Sequence, residues 1–160
     1  MSGLDVAASV VGVAAAGMQI AKGLIELAEG MGNTGEEVRL CASDTALFSQ
    51  MVGNLADAVK MPTAASRPIQ STTDDLVNVC EMILEPFQRF IARLKPLLDK
   101  YREMEQQSRQ IGLRVQWYFR HKSKITFYQQ ALQQIKPTLT CLLASMNLQE
   151  ARVSARRNLL

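Results

Sequence analysis

Side chains capable of chemistry are few and scattered. A single histidine, His121, lies inside the basic run Arg120–Lys124, RHKSK. As a general base it would need an acid to orient it, and none neighbours it in sequence. The acid pairs Glu36-Glu37 and Asp74-Asp75 suggest shared-proton chemistry, but both fall at expected helix starts, where the helix dipole already accounts for them. Cys41, Cys80 and Cys141 are odd in number and far apart, without the Cys/His spacing of a zinc site. They are expected to be reduced, mostly buried thiols of a cytosolic protein; a redox switch is disfavoured, because no base stands directly beside Cys41 or Cys80 to lower a thiol pKa. No G-x-x-x-x-G-K-[ST] phosphate loop is present. This inventory argues against an enzyme and implies no metal and no cofactor.

The stretch Arg114 to Lys124, RVQWYFRHKSK, interleaves aromatics with bases, as surfaces that stack nucleic-acid bases do. Core packing explains it better: Val115, Tyr118 or Phe119, and later Phe127, supply anchors while the cations face water. Lipid contact comes second. There Trp117 would sit at the interface, with Arg120, Lys122 and Lys124 each contributing about 1 kcal/mol against anionic headgroups. Nucleic acid ranks last and is not expected as a partner.

These residues belong to a chain of 160 residues, suited to one domain over 1–160 with a core of useful size. Apolar residues at 48% and charged ones at 21% fit a soluble globular protein. Aromatics make up only 6%, and Ala, Leu, Gln, Met and Arg are plentiful, which favours helix over sheet. The net charge of +3 is unevenly spread. Residues 1–85 carry 4 basic and 11 acidic side chains, whereas residues 106–160 carry 9 and 1. A basic end of this kind attracts anionic lipids, nucleic acid or an acidic partner.

Helical punctuation is clear. A first helix is expected from about Gly3 to Glu29, stopped by Gly30-Met31-Gly32. Thr34-Gly35-Glu36-Glu37 has capping-box spacing and opens a second helix to about Lys60. Its buried face should be Val38, Cys41, Thr45, Phe48, Val52, Leu55 and Val59. Met61 to Thr73 reads as a loop. Thr73 with Asp74-Asp75 then starts a third helix reaching about Ser108, kinked or divided by Pro86 and Pro96. A fourth helix covers roughly Gln110 to Arg120, and RHKSK either breaks it or passes straight through. A fifth runs from about Thr126 to Arg156, bent by Pro137. The sum is an all-α bundle of four or five helices.

The opening VAASVVGVAAAGMQIA, Val6 to Ala21, carries no charge over sixteen residues. It is not a secretory signal, because Asp5 precedes it and no Lys or Arg does. A simple membrane span needs about 20 apolar residues, and Lys22, Glu26 and Glu29 interrupt this one. Leu4, Val11, Met18 and Ile25 repeat every seven residues, each followed after three by Ala7, Ala14, Ala21 or Ala28. A second row, Val6, Val13, Ile20 and Leu27, lies about 200° further round. The remaining stripe, including Asp5, Gly12, Ala16, Gln19, Gly23 and Glu26, is small or polar. A helix apolar on two nearly opposite sides is expected at the centre of the bundle, covered on both. The spacing Gly12–Ala16 equally suits helix contact in lipid. Gly12, Gly17 and Gly23 each cost about 1 kcal/mol relative to Ala, which a purely structural helix gains little by carrying. Burial at rest and exposure after activation are compatible.

Two stretches together carry a family resemblance over more than half the chain. GLDVAASVVGVAAAGMQIAKGLIELAEGMGNTGEEVRLCASDTALFSQMVGNL resembles the start of the N-terminal domain of fungal STAND (NLR-like) proteins: a small-residue-rich helix, a polar turn, then a helix opening with paired acids. Within Leu113 to Leu148, WYFRHKSK and LQQIKPTLTCLLASMNL resemble its Trp, basic cluster and Leu-rich helix. Pro137 departs from the pattern, standing where the family usually has a small polar residue.

The family resembles HeLo and HeLo-like bundles. The resemblance implies a non-enzymatic cell-death effector joined to a nucleotide-operated receptor, cytoplasmic at rest and recruited to the plasma membrane when copies oligomerise. Leu4 to Ile25 would insert, with Leu4, Val11, Met18 and Ile25 along the helix and Gly12, Ala16, Gly17 and Gly23 at close contacts. The alternative is a soluble adaptor docking a signalling protein or a second copy, its acidic first half pairing with a basic last third.

Overall fold

The computed structural model describes residues 3–31, 35–60, 67–102 and 107–159, with side chains except at 3–4, 67, 98, 100–102 and 107–119. The described residues form four helices: α1 Gly3–Met31, α2 Glu36–Val59, α3 Arg67–Arg102 and α4 Gln107–Asn158. The chain is an all-α helical bundle.

The first two helices follow the sequence closely. Every residue expected on the inner face of α2 is buried. Thr45, the polar member of that face, donates its hydroxyl to the Cys41 carbonyl at 2.8 Å, so it sits there without an orphaned group. The N-cap of α2 is Gly35, one residue later than a Thr34 capping box requires; Thr34 itself lies outside the described residues. A Cβ on Gly35 would collide with the carbonyl of Ala28, so the start of α2 rests directly on the backbone of α1.

The last two helices are longer than the turn signals suggest. Helix α3 starts at Arg67, not Thr73. Pro68 falls in the first turn, where a missing N–H costs nothing. Thr72 and Thr73 donate to the carbonyls of Pro68 and Ile69, at 2.8 and 2.7 Å, and so act as interior residues rather than caps. Neither Pro86 nor Pro96 divides the helix. Buried Leu84, Phe87, Phe90, Ile91 and Leu94 hold it on both sides of Pro86, and Pro96 is exposed, so water can serve the freed carbonyl there. RHKSK does not break α4, so the two expected helices merge into one of 52 residues, about 78 Å long.

Contacts between side chains fix the order of packing. Helix α1 lies against α2 and α3, and α4 completes the ring by lying against the same two. Gln88 bonds to Gln19 and Lys95 pairs with Glu26, so α1 and α3 run parallel. Lys122 meets Glu37, and Gln129 and Gln133 meet Asp44, so α2 and α4 run parallel too. Around the ring the order is α1, α2, α4, α3, with consecutive α2 and α3 at opposite corners.

This order corrects the expectation of a central, fully covered first helix. Val6, Val13, Ile20 and Leu27 are buried, at 3% exposure or less. In the other row Val11, Met18 and Ile25 are 47, 44 and 46% exposed; the Leu4 side chain is outside the described set. Among the described residues α1 packs against α2 and α3, and this other row faces neither. The small and polar stripe borders α3: Gly23 and Ala16 let that helix approach, and Gln19 and Glu26 clasp its edge.

Phe48 is fully buried and its sequence neighbour Leu47 is exposed. Phe48→Ala should therefore cost about 3–5 kcal/mol and Leu47→Ala less than about 0.5 kcal/mol, as read by urea unfolding.

Candidate functional site

Two surfaces carry the residues that the sequence singles out: the outer face of α1 and the basic turn of α4. Because α1 and α4 occupy opposite corners, the structure does not bring these surfaces together.

On α1 the outward positions are Ala8, Val11, Ala15, Met18, Lys22 and Ile25. Their alternating spacing of three and four makes one continuous stripe on the helix. Of the expected close-contact residues, Gly17 and Gly23 perform that role. A Cβ on Gly17 would strike the Ser49 hydroxyl of α2, and one on Gly23 would lie 2.8 Å from Ile91 Cγ2 of α3. Gly12 does not: its Cβ would meet nothing within 4 Å. Ala16 is half-buried against the core, beside Leu84 and Gln88 of α3. By length and composition α1 is sufficient to cross a membrane, a property that core helices share.

The basic turn is engaged with the bundle. Lys122 forms an ion pair with Glu37 at 3.0 Å. Lys124 Nζ lies 5.4 Å from the Phe90 ring centroid, within cation–π range. His121 tilts against the same ring at 5.9 Å. Partial burial, then the charges of Arg120 and Lys124, lower its pKa below the ordinary value and favour the neutral imidazole. Arg120 is exposed. The Trp117 side chain, with those of Val115, Tyr118 and Phe119, lies outside the described ones.

One expected anchor is misplaced: Phe127 is 64% exposed. Tyr128 takes the inner position, stacked on Phe87 at 4.6 Å and 11°. The signal was in the register. Ile125, Tyr128, Leu132, Ile135, Leu139, Leu142 and Met146 follow three-four spacing through α4, and 127 is not on it.

A further feature had no signature in sequence. Between α3 and α4 runs an open groove of about 380 Å³, walled by Leu76, Val79, Ile83, Ala131 and Ile135, with Asp75 at its rim. Its walls are residues of two helices far apart in sequence, 59 positions for Leu76 and Ile135, which no local pattern joins.

Two of the three cysteines are buried as expected, but Cys141 is exposed. Burial, with the charge of Asp44 adding to it and a Thr45 hydrogen bond opposing it, pushes the Cys41 thiol up to about 11. Burial and Glu81 push Cys80 up to about 12. Neither forms a thiolate nucleophile near neutral pH. Among the described residues no three His, Cys, Asp or Glu side chains gather as a metal site.

A thiol-reactive maleimide should label one cysteine per native chain, Cys141, and three after unfolding, as counted by intact mass. Ser49 Oγ is buried without a hydrogen bond, so Gly17→Ala should destabilise by clash alone. Adding Ser49→Ala should reverse this and leave the double variant more stable than the parent by about 1 kcal/mol, the helix propensity gained, measured by thermal unfolding.

Comparison with known protein families, curated proteins and solved structures finds no match for this chain.

Proposed function

We propose that the chain is a non-enzymatic signalling bundle that acts through α1, and that several copies together deliver this helix to an anionic membrane. The observation that supports this most directly is the wet apolar row Val11, Met18 and Ile25 on a helix whose opposite side is also apolar. Such a helix suits both core and lipid: the face now against α2 and α3 can face acyl chains, and the outward face already can. The uncharged stretch from Val6 to Ala21 is about 24 Å long, shorter than the roughly 30 Å hydrocarbon core. Lys22 would then reach the headgroups by extending its stem. Ala and Val give little transfer energy each, so one copy binds weakly and several must act together.

Among the candidate headgroup contacts, Arg120 is the most available, since Lys122 and Lys124 also hold α4 onto α2 and α3. A cytoplasmic resting state, recruitment to the plasma membrane and a role in cell death belong to the same proposal and rest on the family resemblance. Removal of residues 1–29 would be a poor test, because Val6, Val10, Val13, Ile20, Leu24 and Leu27 are core.

The wild-type protein should bind vesicles rich in phosphatidylserine more strongly than phosphatidylcholine vesicles in flotation. Met18→Asp should lose that binding, and loss of viability on expression, while keeping its helical circular dichroism. Equal, negligible binding to both vesicle types would dismiss the membrane reading.

A further inference from the structure

The ring order divides the bundle into two layers of opposite charge. Helices α1 and α2 form one layer, and residues 1–60 carry 3 basic and 7 acidic side chains, a net −4. Helices α3 and α4 form the other, and residues 67–160 carry 15 and 8, a net +7. Each layer also has an unpartnered apolar surface. On the acidic layer it is the Val11–Met18–Ile25 row. On the basic layer it is the groove at Val79, Ile83 and Ala131, flanked by Met82 at 76% and Phe127 at 64% exposure. These surfaces lie on opposite sides of the molecule.

We propose that they are the two halves of one heterologous contact, and that the occupant of each is a second copy of this chain. The α1 row of one copy lies in the α3–α4 groove of the next. Charge selects a second copy as the partner at the turn end of the contact, where exposed acids of the α1–α2 layer meet exposed Arg93 and Arg120 of the α3–α4 layer. At the groove end, where Asp75 lies on the rim, the match is apolar.

The register agrees. Gln19 is level with Gln88 and Glu26 with Lys95, and Phe87 stacks on Tyr128. The groove and Phe127 therefore stand at the height of Val11 to Met18. At the α1–α2 turn end, exposed Glu36 stands near the level of exposed Arg93 and Arg120, and exposed Glu29 lies beyond Arg93 by five residues. Side-by-side stacking without inversion thus matches apolar to apolar and acid to base. Because the two patches differ, the contact does not close on itself as a twofold dimer does, and it propagates into rows or rings. It forms without lipid and stands independently of the membrane proposal.

The test uses the full chain in lipid-free buffer, with sedimentation velocity over a concentration series. At low salt the wild type is expected to form species larger than a dimer, lost on raising salt. Met18→Asp blocks the row and leaves the groove; Phe127→Asp, or Met82→Glu as an independent second choice, blocks the groove and leaves the row. Each variant alone should sediment as a folded monomer. A mixture of one row variant and one groove variant should double in mass to a 1:1 dimer and grow no further. A wild type that stays monomeric throughout, groove variants that still assemble alone, or a mixture that remains monomeric would each overturn the contact. None of these outcomes bears on vesicle binding by the monomer.

Discussion

The structure depends on how closely α1 approaches its two neighbours. At Gly17 its backbone lies so near Ser49 that a methyl group does not fit, and at Gly35 the start of α2 rests on the Ala28 carbonyl. Gly23 does the same toward Ile91 of α3. These approaches bring Val6, Val10, Val13, Ile20, Leu24 and Leu27 into the core. They also commit the helix to one rotation about its axis. Once that rotation is set by small residues on two sides, the Val11–Met18–Ile25 row has nowhere to point but outward. Exposure of that row therefore follows from where the glycines stand and from α1 having α2 and α3 as its neighbours.

Polar contacts trim this arrangement rather than drive it. The pairs Lys95–Glu26 and Lys122–Glu37 are both more than 40% exposed on each partner, so their net contribution to stability is small. Their value is positional: with Gln88–Gln19 and the two glutamines on Asp44, they fix which residue of one helix stands beside which of the next. The bases of α4 that looked like a free patch share in this work, through Lys122 on Glu37 and Lys124 over Phe90.

Much of the fold was legible because helical periodicity is a local property. The face of α2 from Val38 to Val59 could be read residue by residue, as could the end of α1 near its glycines. What escaped was set by the number and identity of neighbours. The heptads of α1 show two apolar rows, but not that only two helices would come to cover them. Of the small residues expected at close contacts, Gly23 and Ala16 meet α3 and Gly17 meets α2, while Gly12 stays open, a difference that spacing alone does not carry. Thr73 with Asp74-Asp75 carried a strong start signal, overridden by Pro68 and the buried side chains beginning at Ile69. Phe127 was judged by its type, while the register of α4 assigned its place to Tyr128. The groove between α3 and α4 was invisible for a simpler reason: neither wall has meaning alone.

The placement of α2 and α3 at opposite corners bears on how the chain reaches this state. Each consecutive pair, α1 with α2 and α3 with α4, makes contacts between helices adjacent in sequence, which require little loop closure and form quickly. The remaining seams join residues far apart in sequence, 69 positions for Gln19–Gln88 and 85 for Asp44–Gln129. Loop-closure cost therefore favours the two hairpins over the seams between them, and an isolated hairpin would leave its core-facing side, Val6 to Leu27 on α1 or Leu84 to Leu94 on α3, open to water.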